Sequence, residues 1–156
     1  MSMANTLQDY LQRHHAPFEM MHHAHSSCSM ETAQMAHVPG DRLAKPVLFR
    51  DDLGYVMAVL PSTCHVGITA LNKRLGRHLQ LAEEWELEEL FQDCELGAIP
   101  PMGPAYGIRT VMDDELANER DIYFEAGNHE DLVHMKTDTF LDLMADADRA
   151  SFARRL

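Results

Sequence analysis

Apolar residues fall along this chain in two periods, one helical and one alternating, and the changes between them mark out its elements. Met3, Leu7, Tyr10 and Leu11 recur at helical spacing and predict an opening amphipathic helix. FEMMHH (18–23) reads as a short strand, and Ser29 can cap a helix to about His37, stopped by Pro39-Gly40. Strands are expected over 43–50 and 55–60, joined by the turn composition DDLG. The second, YVMAVL, is apolar almost throughout, as a strand buried on both faces would be.

ITALNKRLG predicts a short helix with Gly76 as its stop. Leu87, Leu90, Phe91 and Cys94 fall at i, i+3, i+4 and i+7 of a further helix ending near Gly97. Its first turn gathers Glu83, Glu84 and Glu86, where the helix dipole favours carboxylates. YGIRTVM and DIYFEA are strands, GNHED turns the chain back into LVHMK, and Thr137 caps a closing helix carrying Phe140, Leu141, Met144 and Ala147. Residues 146–156 read as a tail free to fray. Helices interleaved with hairpins give an α+β class, and 156 residues make one domain with a core of its own. Neither an internal repeat nor a low-complexity linker divides the chain.

Charge adds an asymmetry to this picture. Residues 1–78 carry a net +1 and residues 79–156 a net −13, which permits a mildly basic face on a protein of net charge −12. Strong acidity gives no support for DNA as a partner. No apolar run approaches the roughly 18 residues that span a bilayer, and no basic segment leads into an apolar one as in a secretory signal. Cys28, Cys64 and Cys94 are sparse and unpaired by spacing, which suits a reducing cytoplasm.

Candidate chemistry is dispersed. Five of the ten histidines, His14, His15, His22, His23 and His25, cluster early. A strand would turn His22 away from His23 and His25, and no carboxylate–histidine motif accompanies them. They read as surface histidines rather than a metal site, and no cofactor motif appears. Cys94 lies on an apolar stripe and reads as core, while Cys64 and His65 would face opposite ways on a strand. A serine elbow and a phosphate-cradling glycine loop are both missing. ELGAIPPMGP (95–104) is the most unusual segment: its prolines stiffen a loop and its glycines allow close backbone approach. EAGNHED (125–131) is explained by turn chemistry at Gly127-Asn128, with His129 at the tip. Lys45 is set among apolar residues at the start of the central hairpin, with Pro46 directly behind it.

RLAK, FRDDLGYVMAVLP, GAIPPMGP, VMDDEL, YFEAGNHEDLVHM and TDTFLDLM arrive in a particular order over residues 20–145. That order resembles the YbaK / prolyl-tRNA synthetase-associated domain family of trans-editing aminoacyl-tRNA deacylases. The resemblance implies a barrel-like mixed sheet of about six or seven strands with helices around it. It implies hydrolysis of the ester of a mischarged tRNA, most often tRNA(Pro) carrying alanine or cysteine, with no cofactor and no protein nucleophile. Lys45 takes the family's essential lysine position, and Gly97 the loop that lends N–H groups to the developing oxyanion. Ala98, Ile99, Pro100, Pro101, Gly103, Gly127, Asn128 and His129 follow as substrate-binding candidates. Many members have a small hydroxyl residue where this chain has Pro46, which removes one N–H and one hydroxyl. The implied partners are the tRNA acceptor end and prolyl-tRNA synthetase. The competing class is an inactive binding module of the same fold, holding tRNA, a synthetase or a small ligand.

Overall fold

The computed structural model describes residues 2–23 and 37–156, so the helix expected over 29–37 lies outside the described residues save for His37. At the centre is β3 (Gly54–Pro61), antiparallel to β2 (Ala44–Asp51) on one side and parallel to β6 (Arg109–Asp113) on the other. Val56, Met57, Ala58, Val59 and Leu60 are wholly buried, as the unbroken apolar run requires. A strand turns successive side chains to opposite faces. Met57 and Val59 therefore join one core with Leu7, Phe91, Phe124 and Phe140, while Val56, Ala58 and Leu60 join a second with Phe49, Leu71 and Phe152.

The central sheet has the order β5-β2-β3-β6-β9, with β5 (Gln80–Leu81) and β9 (Asp148–Ala150) as its edges. β1 (Glu19–His22), β8 (Asp131–Lys136) and β7 (Asp121–Glu125) form an antiparallel sheet, joined to the central one by an isolated bridge between Leu43 and Tyr123. β4 (Cys64–Val66) pairs with β10 (Ala153–Arg155). The described residues thus contribute ten strands in three sheets, more than the six or seven implied, and these do not close into a barrel.

Around them lie α1 (Asn5–Arg13), α2 (Ile68–Leu75), α3 (Glu84–Leu90) and α4 (Thr137–Leu143). Gly76 ends α2 in the left-handed conformation at φ 65°, as its position predicts. Other boundaries differ from expectation. α3 stops at Leu90, well before Gly97, so Cys94 is in a turn rather than on a helical stripe. Thr137 does not cap its helix; its hydroxyl donates to the Glu119 carbonyl at 2.6 Å. The tail is tied down instead of frayed. Asp113 accepts the N–H groups of Phe152 and Ala153 at 2.8 and 2.9 Å, and Phe152 is fully buried. That ring alone contributes about 1.5–3 kcal/mol.

Candidate active site

The β2–β3 hairpin that carries Lys45 is held by two sets of bonds at and beside its turn. At its turn, Leu53 N–H donates to Asp51 at 2.8 Å, and the Arg77 guanidinium grips the same carboxylate at 2.6 and 2.5 Å while reaching the Gly54 carbonyl. The Arg77 hydrogen bonds hold the Asp51 carboxyl well below the usual carboxylate range. Glu86, buried at the start of α3, accepts from the Glu83 N–H, Arg50 and Tyr55 at 2.8, 2.9 and 3.0 Å. The Glu83 N–H, then Tyr55 and Arg50, lower its pKa against the opposing effect of burial. These bonds dock α3 on the hairpin and leave a hollow between them.

That hollow is a cavity of about 460 Å³. Val47, Leu48, Met57, Leu87, Phe91 and Ile99 give it an apolar wall, and Lys45, Pro46, Ser62, Glu84 and Gly97 also border it. Lys45 is half-buried, and its Nζ donates to the Ser62 carbonyl at 3.5 Å. Pro46 fits here for a backbone reason. Leu48 turns its carbonyl outward to the Ala82 N–H, so Pro46, two residues back, turns its nitrogen to the same side, where β5 pairs only with Phe49 and Arg50. The ladder keeps all its bonds.

The segment 95–104 closes the other side. Gly97 is exposed with φ +84°, whereas Ala98, Ile99, Pro100 and Pro101 are buried. Ala98 N–H is used within the loop, on the Glu95 carbonyl at 3.1 Å, and Pro100 and Pro101 have none to offer. Gly97 and Ile99 border the cavity, and their N–H groups have no hydrogen-bond partner among the described residues. Gly103 is set apart from the cavity, opening a 3-10 turn where a Cβ would collide with the Thr110 hydroxyl. It is a packing glycine.

Gly127, Asn128 and His129 stand behind the loop and outside the cavity lining. Gly127 has φ +105°, a Cβ there would come within 2.9 Å of Ala4, and its carbonyl accepts the Glu95 N–H at 2.8 Å. The Asn128 side chain accepts from the Glu130 and Asp131 N–H groups and donates to Asp131, closing the turn on itself. His129 is buried with φ 60°, and its Nε2 is hydrogen-bonded to the Leu96 carbonyl. A carbonyl only accepts, so Nε2 carries the proton. Gly127 and His129 brace the stretch that ends in Gly97, and Asn128 closes the turn that carries them.

Cysteine nucleophiles find no support. Burial pushes the Cys94 thiol up to about 12, with Tyr106 at 3.2 Å and Asp93 at 3.4 Å. Cys64 is buried away from the cavity while His65 beside it is exposed, and Cys28 lies outside the described residues. Ser62 spends its hydroxyl on the Gly40 carbonyl at 2.7 Å. Of the early histidines, His14, His15 and His22 are exposed as expected. His23 is not: its N–H bonds the Glu130 carbonyl just past β1, and its ring turns inward to 3.9 Å from Glu125. His25 lies outside the described residues. No group of three His, Cys, Asp or Glu able to hold a metal occurs among the described residues, and no helix there is long and apolar enough to cross a membrane. Sequence reasoning missed Ser62 and the placement of Glu84 at the cavity. The hairpin register would have revealed Ser62, since Ala44 pairs with Pro61 and Lys45 with Leu60.

Solved structures share this fold. A candidate signal transduction protein from Marinobacter aquaeolei VT8 superposes with a TM-score of 0.79 at 26% identity over 95% of this chain, which spans 30% of the length of that protein. A candidate trans-editing enzyme for prolyl tRNA synthetase gives 0.81 at 19% identity, over 97% of this chain and 96% of its own. A hypothetical protein gives 0.84 at 18%, over 96% and 100%. No curated protein matches the chain. The sequence model of the aminoacyl-tRNA editing domain matches residues 23–143. The chain belongs to the aminoacyl-tRNA editing domain family.

Proposed function

We propose that this chain is a cytoplasmic aminoacyl-tRNA deacylase that removes a wrong amino acid from tRNA. The observation that carries the reading is the meeting of Lys45 and the Gly97 loop at one apolar cavity whose described lining holds no cysteine or histidine. The acyl group enters between Leu87, Phe91 and Ile99, and Lys45 meets the sugar–phosphate end. Water adds to the ester carbonyl carbon, the bond to the ribose oxygen breaks, and that oxygen takes up a proton. The Gly97 and Ile99 N–H groups stabilise the charge that develops on the carbonyl oxygen; each such donor is worth about 10²–10³ in rate. Glu84, the one carboxylate on the described lining, meets the substrate's α-amine in its protonated form.

The resemblance points to tRNA(Pro) bearing alanine or cysteine, and to prolyl-tRNA synthetase as a partner. A cavity of about 460 Å³ has room for such an acyl group together with the terminal ribose. Pro46 favours one other reading: with no hydroxyl beside the lysine, the same cavity would hold a tRNA end without turning it over. A panel of mischarged tRNAs separates the two. Deacylation of alanyl- or cysteinyl-tRNA(Pro) supports the enzyme, and retention of acylated tRNA without hydrolysis supports the binding module.

A further inference from the structure

Gly127 and His129 hold the incoming limb of the 95–104 segment, at Glu95 and Leu96. The outgoing limb carries the Ile99 N–H and finds its backbone bonds close by. Ala105 N–H donates to the Met102 carbonyl and Ile108 N–H to that of Gly103, both at 2.9 Å. Pro100, Pro101 and Pro104 have no N–H to add. Tyr106, just past that limb, ties its end back to its start. The Tyr106 hydroxyl donates to Asp93 Oδ1 at 2.9 Å, where the segment sets out. Its ring stands edge-on to Phe91, with centroids 4.8 Å apart, and Phe91 borders the cavity. The second Asp93 oxygen accepts the Thr6 N–H at 2.9 Å, in the first turn of α1. Burial, with Cys94 and Asp93 beside it, holds the Tyr106 phenol above its ordinary range, so it stays the donor. Burial opposes ionisation of Asp93, but the bonds from Thr6 and Tyr106 outweigh it and hold the carboxyl below its usual range.

We propose that Asp93 and Tyr106 are positioning residues: their hydrogen bond closes the neck of residues 94–105 and so sets where the Gly97 and Ile99 N–H groups meet the ester. The proposal rests on the deacylase reading for the reaction it serves. Neither side chain borders the cavity, so both act through the loop. A loop pinned along one limb leaves the donors on the other to wander. Joining the limbs removes that freedom before substrate arrives, when donor placement has most effect on rate. The neck also draws α1 into the frame of the site. α1 precedes residues 23–143, the stretch that the family model matches, yet its Thr6 N–H ends on the carboxylate that closes the loop. Just ahead of it, Ala4 donates its N–H to the Ala126 carbonyl at 2.9 Å and packs against Gly127. The start of α1 therefore meets both supports of the segment.

The test joins single-turnover hydrolysis of alanyl-tRNA(Pro) to amide hydrogen exchange on the same full-length variants. Tyr106→Phe keeps the ring against Phe91 and loses only the hydroxyl. It should melt within a few degrees of wild type. Its saturating rate constant should fall about tenfold, with the half-saturating enzyme concentration within about twofold of wild type. Deuterium uptake over residues 94–108 should quicken while that of β3 stays the same. Asp93→Asn still accepts the Thr6 N–H and offers its amide to the Tyr106 oxygen, so it should keep most of the rate. Asp93→Ala should lose at least as much as Tyr106→Phe, and combining the two should cost nothing further, since both remove one bond. Unchanged uptake in Tyr106→Phe overturns the neck. Faster uptake at the wild-type rate overturns its part in placing the donors, and a further loss in the double variant overturns the shared bond. Failure of the wild type to hydrolyse any aminoacyl-tRNA overturns the deacylase reading and with it the catalytic use of the neck, while exchange still decides whether the neck holds the loop.

Discussion

His129 holds the carbonyl of Leu96 through its Nε2–H, which fixes the backbone one residue before Gly97. The imidazole touches the loop and not the cavity, so its role is positioning. His129→Ala should slow single-turnover hydrolysis by about ten- to a hundredfold, the scale at which small misplacements act. His129→Gln, which can still donate to Leu96, should recover part of the rate. Equal losses in both variants at unchanged melting temperature would contradict the brace.

Gly97→Ala should lose stability as well as rate. At φ +84° an alanine costs about 1–2 kcal/mol, which lowers the melting temperature by several degrees. Gly97→Asn separates the two effects, because asparagine tolerates positive φ but still puts a side chain at the cavity. It should melt closer to wild type and hydrolyse as slowly as the alanine variant. A folded Gly97→Asn with full activity would leave the loop as a connector.

Acid should loosen the hairpin through Asp51. Its folded pKa lies below the unfolded value of about 3.9, so its stabilising share is complete above that pH and is lost as pH falls further toward the folded value. The urea midpoint of the wild type should therefore drop between about pH 5 and pH 2. Asp51→Asn, less stable at neutral pH, should show a shallower drop. Parallel curves would remove the Arg77–Asp51 pair from the acid response.

Much of this architecture is legible in the sequence where a period runs long enough. The β3 run and the glycine at the end of α2 fall where pattern and turn chemistry put them. β4, β5, β9 and β10 have two or three residues each, too few for a period to register. Their places are set by distant partners such as Asp113. α3 carried a helical pattern past its true end because Phe91 and Cys94 are packed by the turn that follows. At the site, motif order brought Lys45 and Gly97 together, but Asn128 and His129, ligand contacts by motif order, close a turn and brace the loop in space. Only the loop's hydrogen bonds distinguish those roles.

Glu84 should matter only to substrates with a free amine. Glu84→Gln should raise KM for an aminoacyl ester several-fold while leaving the N-acetylated ester unchanged, since the acetylated nitrogen carries no charge. Equal effects on both esters would exclude contact with the α-ammonium.

The central claim is that Lys45 at the apolar cavity acts on an aminoacyl ester. Single-turnover hydrolysis of alanyl-tRNA(Pro) by wild type and Lys45→Ala, with melting curves on the same preparations, addresses it most directly. The account predicts hydrolysis by the wild type, loss of most of that rate in Lys45→Ala, and melting within a few degrees, because a half-buried lysine on a strand edge contributes little packing. A folded Lys45→Ala that deacylates at the wild-type rate would contradict it.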